Sequence, residues 1–534
     1  MWHLSGIQGM KLTKPKWLSP ELIFLVILIT VGLLYNYHKI AFNSPVGIHH
    51  WRNCVSAAFP VNYYYGGNFL TPQTNALLAD KMTSDVTVVE FPLIYYVISV
   101  FYRIFGINAF WHRMVHVAIG FMGLVYLFKA SHYFTSNWFY AGIIPMIIFT
   151  SPIYAFYLNN FIPDAAALSL TFGGFYYFMK SSQEEKFRPW LISMGFFALA
   201  GLTKTSSLLP YFGLGGVALL DLVLRKRRDS YFQFSAKYIG TFIMVLIFIF
   251  GWYFYARIYS DMHKGSVSPI AIRPIWTMDK KTILDTLAGM KGWFVPGFYH
   301  AKYFLYISLA VLVATIVWIR KANPFLARWN LLIFFGSVAF TLFFFIDMRQ
   351  HDYYQMNNLF LLVTLYLTFF SIVAKALPGV YNSIWSKGVV TVLVFLLFLH
   401  CNDRMDFRNS ERDWFYVASS KTIEMWDIED YLEEIGVDRT SKVYCTPDRS
   451  INISLYFCNR KGLTDYAVLR IPSIEERLEK MKEYQIEYVI LGSREPFKEV
   501  ENLDQLLGEK IGQTGDTEIF RLNAPKPKAR QQKK

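Results

Sequence analysis

Tyr238–Ala256 reads YIGTFIMVLIFIFGWYFYA, nineteen consecutive residues without a formal charge. A helix of that length rises about 28 Å, close to the roughly 30 Å hydrocarbon core of a bilayer. Comparable apolar runs recur from Leu22 to the neighbourhood of His400 and then stop. The chain has 534 residues, 54% hydrophobic and 18% aromatic against 17% charged, which is too apolar for a set of water-soluble domains. The pattern predicts a predominantly α, polytopic membrane protein of about 11 transmembrane helices.

The spans fall near residues 19–37, 112–129, 138–156, 164–180, 190–203, 206–223, 236–257, 302–319, 329–346, 355–374 and 387–401. Lys11, Lys14 and Lys16 precede the first, so the N-terminus is expected in the cytoplasm. That first run lacks a small-residue cleavage site and reads as a retained anchor. The apolar stretch Phe91–Phe105 is read as a helix lying at the membrane surface. Counting it as a span would invert every later loop and carry Arg225, Lys226, Arg227 and Arg228 outside. With this reading Lys129, Lys180, Lys186, Arg188, Arg320, Lys321, Arg328, Lys375 and Lys387 all fall inside. The net charge of +14 is thereby explained by orientation, and a nucleic-acid partner is not indicated. Outside lie a long first loop (38–111), a second long loop (258–301) and the C-terminal region.

Beyond Asp406 the composition turns to mixed charged and apolar segments. Helical periodicity at 421–435 and 473–484 and β-rich runs at Lys442–Cys445, Tyr488–Leu491 and Glu518–Leu522 predict a small periplasmic α/β domain over 406–524. Residues 525–534 read as a basic tail. Asp448, Asn459, Arg460 and Lys461 are expected at its surface. Cys54, Cys401, Cys445 and Cys458 form no CxxC pair; Cys445 and Cys458 are read either as a disulfide or as free buried thiols.

The basic loops alone fix this topology, so the distribution of the other polar residues is an independent observation. The first outer loop carries His49, His50, Trp51, Arg52, Asp85 and Glu90. Asp164 follows the third span, Lys204 separates two spans, and His351, Asp352, Tyr353 and Tyr354 open the tenth, all toward the outer face. Each has a plain reading: solvated loop histidines, an interfacial Trp51 and tyrosine belt, and Asp164 as a helix cap. Lys204 resists one, because a cation at an outer helix end needs water or an anion. Taken together, cations for an anionic group and carboxylates for proton transfer fit a lipid-linked phosphate sugar and an acceptor hydroxyl.

Ordered strings carry a resemblance: His50-Trp51-Arg52-Asn53, Tyr65-Gly66-Gly67-Asn68-Phe69-Leu70, Glu90-Phe91-Pro92-Leu93, Phe161-Ile162-Pro163-Asp164, Leu202-Thr203-Lys204 and His351-Asp352-Tyr353-Tyr354. Over about residues 20 to 375 the chain resembles the GT-C fold membrane glycosyltransferases, in particular bacterial relatives of protein O-mannosyltransferases and the lipid A aminoarabinose transferase. The resemblance implies a polyprenyl-phosphate sugar donor, transfer on the outer face of the bacterial inner membrane, and a glycan, lipid or protein acceptor. It implies a catalytic acid early in the first outer loop and a second after the third span, where Asp164 stands. At the first position relatives place Asp or Glu, and this chain has Cys54, Val55 and Ser56.

The expected assignments are Asp164, Glu90 and His50 as catalytic groups and Arg52 and Lys204 on the donor phosphate. His49, Asp85, His351, Asp352, Tyr353 and Tyr354 are expected to line the site. No cofactor is certain; a divalent metal, Mg or Mn, is left open, with sparse carboxylates arguing against an all-protein cage. The departure at Val55 supports a second reading, a catalytically inactive paralogue that binds polyprenyl lipid or assists envelope glycan assembly. A transporter would place charges at mid-membrane depth rather than at one face.

Overall fold

The computed structural model describes residues 19–225, 230–264, 272–293, 300–410 and 428–522. The readings of Lys226 to Arg228, of the tail 525–534 and of the first half of the helix at 421–435 lie outside them. The membrane part is helical: α1 Pro20–Leu34, α2 His50–Tyr64, α3 Leu93–Phe105, α4 Ala109–Thr135, α5 Trp138–Phe149, α6 Pro152–Leu158, α7 Asp164–Glu184, α8 Phe187–Thr203, α9 Leu209–Val223, α10 Ala236–Met262, α11 Lys302–Val317, α12 Pro324–Phe343, α13 Leu359–Ala376 and α14 Ile384–Arg408.

Among the described residues, six helices are long and apolar enough to cross a membrane: Ala109–Thr135, Thr205–Val223, Ala236–Met262, Pro324–Phe343, Asp352–Ala376 and Ile384–Arg408. The run expected as one span near 138–156 is broken: α5 and α6 meet at 75° and make a seventh span only if counted together. Ser151-Pro152 lies at the break, and proline there cannot donate to the preceding turn. Helix α3, at 13 residues, rises only about 20 Å, too short to cross. One face of it is buried through Ile94, Tyr95, Ile98 and Tyr102, while Val97, Val100, Ile104 and Phe105 are exposed. That two-faced pattern is the one expected of a surface helix.

Small residues set the interior spacing. A Cβ on Gly123 of α4 would lie 2.4 Å from the Ser169 carbonyl oxygen of α7, so the two helices meet backbone to backbone. Gly174 admits Phe197 of α8 in the same way. Helix α7 is thus wrapped almost completely, which is why its first residue, Asp164, has no solvent exposure. The outer surface of α10, by contrast, presents Ile247, Phe248, Phe250 and Phe254. A stripe like this suits contact with lipid.

The C-terminal region carries a five-stranded sheet: β1 Lys442–Thr446, β2 Lys461–Thr464, β3 Tyr488–Leu491, β4 Glu509–Thr514 and β5 Thr517–Arg521, in the order β2-β1-β3-β5-β4. β1 pairs parallel with β2 and β3, and β5 pairs antiparallel with β3 and β4. The segment between α2 and α3 extends the β2 edge, with Leu77 donating to the Gly462 carbonyl at 2.8 Å and Gly462 donating to the Asn75 carbonyl at 2.9 Å.

This tie corrects the surface assignment around residues 448 to 461. Arg460 is fully buried and donates to the carbonyls of Val437 at 2.9 Å and Cys458 at 3.1 Å. Asp448 and Asn459 are buried too, and Lys461 reaches Asp85 at 2.7 Å. All four cysteines are free and buried, so the disulfide alternative falls away.

Candidate functional site

The C-terminal end of α8, the C-terminal half of α10 and the segment before α13 meet the start of α2 around a cavity of about 2290 Å³, which the C-terminal region also lines. Its wall includes His49, His50, Arg52, Val55, Glu90, Lys204, His351, Tyr353 and Tyr354. Phe212, Phe250, Tyr253, Phe340 and Phe344 continue the wall with rings from α9, α10, α12 and the residue that follows α12. Asp448, Ser450, Ser473 and Glu475 contribute from above.

Two cation–carboxylate pairs dominate it. Arg52, in the first turn of α2, bonds Glu90, and Lys204 lies 3.3 Å from Asp164. Glu90 is placed by backbone ties: Phe91 donates to the Leu202 carbonyl at 3.1 Å, and the Trp252 indole of α10 donates to Val89 at 3.1 Å. Lys204 follows α8 in extended conformation (φ −156°), which swings its amine away from the helix axis. Its Nζ lies 4.8 Å from the Tyr354 ring centre and 5.4 Å from that of Tyr353, so the paired tyrosines are cation partners. Burial would raise the Glu90 carboxyl, but Arg52 and Lys204 beside it hold it below the usual carboxylate range.

Asp164 makes no capping bond, and Pro163 occupies the cap position. With no exposure, it sits behind Lys204 rather than on the wall. Three side chains that the sequence reading passed over hold the turn before it. His112 bonds the Phe161 carbonyl at 3.2 Å, Arg113 donates to Asn159 at 2.5 Å, and His116 bonds Asn160 at 2.9 Å. Their spacing in α4, two histidines four residues apart beside an arginine, was the available signal, since such residues within a span face a polar partner.

Asp352 is a second buried hub, accepting from Tyr157 at 2.6 Å and Arg408 at 2.7 Å and meeting His49 Nε2 at 3.0 Å. It lies behind His49 and is not itself on the cavity wall. Arg408, at the end of α14, was also missed because it reads as an ordinary helix-end cation. His50 is buried edge-on to Phe457, and burial pushes its imidazole down to about 4, so it is neutral at pH 7. Asp85 is corrected: it is engaged by Lys461 and Gln73 at 3.2 Å, away from the cavity, and braces the loop. Among the described residues no group of three or more His, Cys, Asp or Glu has the arrangement to hold a metal ion.

The chain superposes on ArnT from Cupriavidus metallidurans, solved with undecaprenyl phosphate bound, with a TM-score of 0.62 over 93% of this chain and 98% of that one, at 12% identity. The chain has the GT-C membrane glycosyltransferase fold. Residues 89–263 of this GT-C chain match the family model described as dolichyl-phosphate-mannose-protein mannosyltransferase. Weaker likenesses are to the Archaeoglobus fulgidus oligosaccharyltransferase tethered to an acceptor peptide (TM-score 0.45, 12% identity, 89% and 69% coverage) and to the mycobacterial arabinofuranosyltransferase AftD (0.49, 11%, 95% and 40%). No curated protein sequence matches the chain.

Proposed function

We propose that this GT-C chain transfers a sugar from a polyprenyl-phosphate donor to an acceptor hydroxyl at the outer face of the bacterial inner membrane, on a glycan, lipid or protein. The observation that carries it is the cavity lined by Arg52, Glu90 and Lys204, with Asp164 behind Lys204, and bordered by rings of α9, α10 and α12. A phosphate entering between the two cations would exchange carboxylate partners for its own oxygens, and the rings give the polyprenyl chain an apolar way in. In this reading Arg52 and Lys204 stabilise charge on the departing phosphate and Glu90 orients the acceptor. Asp164 is a positioning residue that fixes Lys204. In this reading the two cations supply the positive charge that Mg or Mn would bring. The associated topology has eleven crossings, a cytoplasmic N-terminus and a periplasmic C-terminal domain.

The bound undecaprenyl phosphate of ArnT and the dolichyl-phosphate-mannose description of the matching family support this donor class. Incubating the purified full chain with radiolabelled undecaprenyl-phosphate sugars and cell-envelope acceptors tests it. Labelled acceptor should form, and Lys204→Ala should abolish it.

The inactive-paralogue reading rests on one observation: Val55, in the stretch Cys54–Ser56 where the resemblance implies an acid, lines the cavity one helical turn from Arg52. If it is right, the wild type binds undecaprenyl phosphate without turnover and Val55→Asp acquires transfer.

A further inference from the structure

We propose that His49, oriented by Asp352, is the base that takes the proton of the acceptor hydroxyl, an inference that rests on the transferase reading above. The groups expected from the sequence to act in catalysis are committed elsewhere, and the first-loop acid is replaced. Glu90 is paired with Arg52, Asp164 is fully buried against Lys204, His50 is buried beside Phe457, and Val55 has nothing to titrate. His49 is on the wall, with its side chain 13% exposed. Its backbone is left-handed (φ +56°), a conformation uncommon outside glycine and concentrated at functional sites, and it ends the outer loop at the first turn of α2.

Its Nε2 lies 3.0 Å from Asp352 Oδ1, and Asp352 is in turn fixed by the Tyr157 hydroxyl and the Arg408 guanidinium. A carboxylate offers only acceptors, so Nε2 carries the hydrogen toward Asp352 and Nδ1 is the proton acceptor. A base oriented by a buried carboxylate, next to the cations that would hold the leaving group, is the arrangement acid–base catalysis needs. Facing His49 are Asp352, His351 and Tyr353 from the segment before α13, Tyr157 from α6 and, behind Asp352, Arg408 of α14.

In the step, the acceptor O–H proton passes to Nδ1 of His49 and the oxygen's electron pair forms the bond to the anomeric carbon. The bond from that carbon to the phosphate oxygen breaks, its electron pair stays on the phosphate, and polyprenyl phosphate leaves. The imidazolium then returns its proton to solvent.

The test uses the full chain in lipid nanodiscs with undecaprenyl-phosphate mannose, glucose, galactose and aminoarabinose, measuring kcat and KM for sugar transfer or release. His49→Ala should lower kcat by about 100-fold with KM nearly unchanged, and added imidazole should restore about tenfold of it. His49→Gln, which keeps a hydrogen-bonding group toward Asp352, should lose the same activity while melting as the wild type does. Asp352→Asn should lower kcat without imidazole rescue, and Asp352→Glu should recover part of it. Wild-type kcat in His49→Gln overturns the proposal, as does a His49→Ala loss that imidazole cannot relieve in protein that still binds undecaprenyl phosphate. A wild type that turns over none of the four sugars overturns the transferase reading itself, and the dyad's role with it.

Discussion

Lys204 and the fully buried Asp164 meet at 3.3 Å, from the end of one packed helix to the start of its neighbour. Removing either partner strands the other, and a stranded buried charge costs about 3–5 kcal/mol. Lys204→Ala should therefore lower the melting temperature of the detergent-solubilised chain, whereas the double variant Asp164→Leu/Lys204→Met should melt close to the wild type. A Lys204→Ala protein as stable as the wild type would show that the pair carries no such load.

The Arg52–Glu90 pair makes a different prediction, because Glu90 competes with phosphate for the same guanidinium. Glu90→Gln should tighten binding of undecaprenyl phosphate by roughly tenfold, since a charge-assisted bond to phosphate then has no rival. Turnover should fall at the same time if Glu90 orients the acceptor. Equilibrium binding of radiolabelled undecaprenyl phosphate would read the affinity; weaker binding would remove Glu90 from this role.

Acid sensitivity follows from His50. Its folded value of about 4 is below the usual 6.5, so below pH 6.5 the unfolded chain binds a proton that the folded chain refuses. Stability should thus decline as pH falls from about 6.5 to about 4 and level off below, losing about 3 kcal/mol on this account. His351, also pushed down to about 4 by burial, acts in the same direction. Melting curves of His50→Gln against the wild type between pH 7 and pH 4 would isolate the contribution, which should vanish in the variant.

Gly462 is where the segment between α2 and α3 joins the C-terminal sheet. A Cβ there would lie 1.9 Å from the Val443 carbonyl oxygen, so Gly462→Ala must push β1 and β2 apart. A destabilisation of about 3 kcal/mol is expected. Limited proteolysis between residues 70 and 88 should accelerate, and an unchanged cleavage rate would mean that the joint tolerates the methyl group.

What could be read in the sequence was set by periodicity and charge. The apolar runs, the short amphipathic α3, and strands β1, β3 and β5 follow from local patterns, because each buries its own apolar residues. β2 and β4 escaped: KGLT and EKIGQT are edge strands with few apolar residues, stabilised by partners far along the chain. The same holds for the site. Arg52, Glu90, Lys204, His49, Tyr353 and Tyr354 stood out as unusual polar residues beside apolar runs, and all six line the cavity. Which carboxylate meets which cation was not legible, since those pairs are made by helix packing. Arg460 and Asp85 were misread because charge suggests solvent until a buried carbonyl or a partner chain segment is seen beside it.

The most direct test of the account is the release of undecaprenyl phosphate from undecaprenyl-phosphate sugars by the full chain in nanodiscs, comparing the wild type with Arg52→Gln and Lys204→Gln. The wild type should release the lipid phosphate in step with sugar transfer, and each variant should be slower by about 100-fold or more, the loss typical of a group that stabilises developing charge. Equal rates in all three proteins, or none in the wild type with any of the sugars, would contradict it.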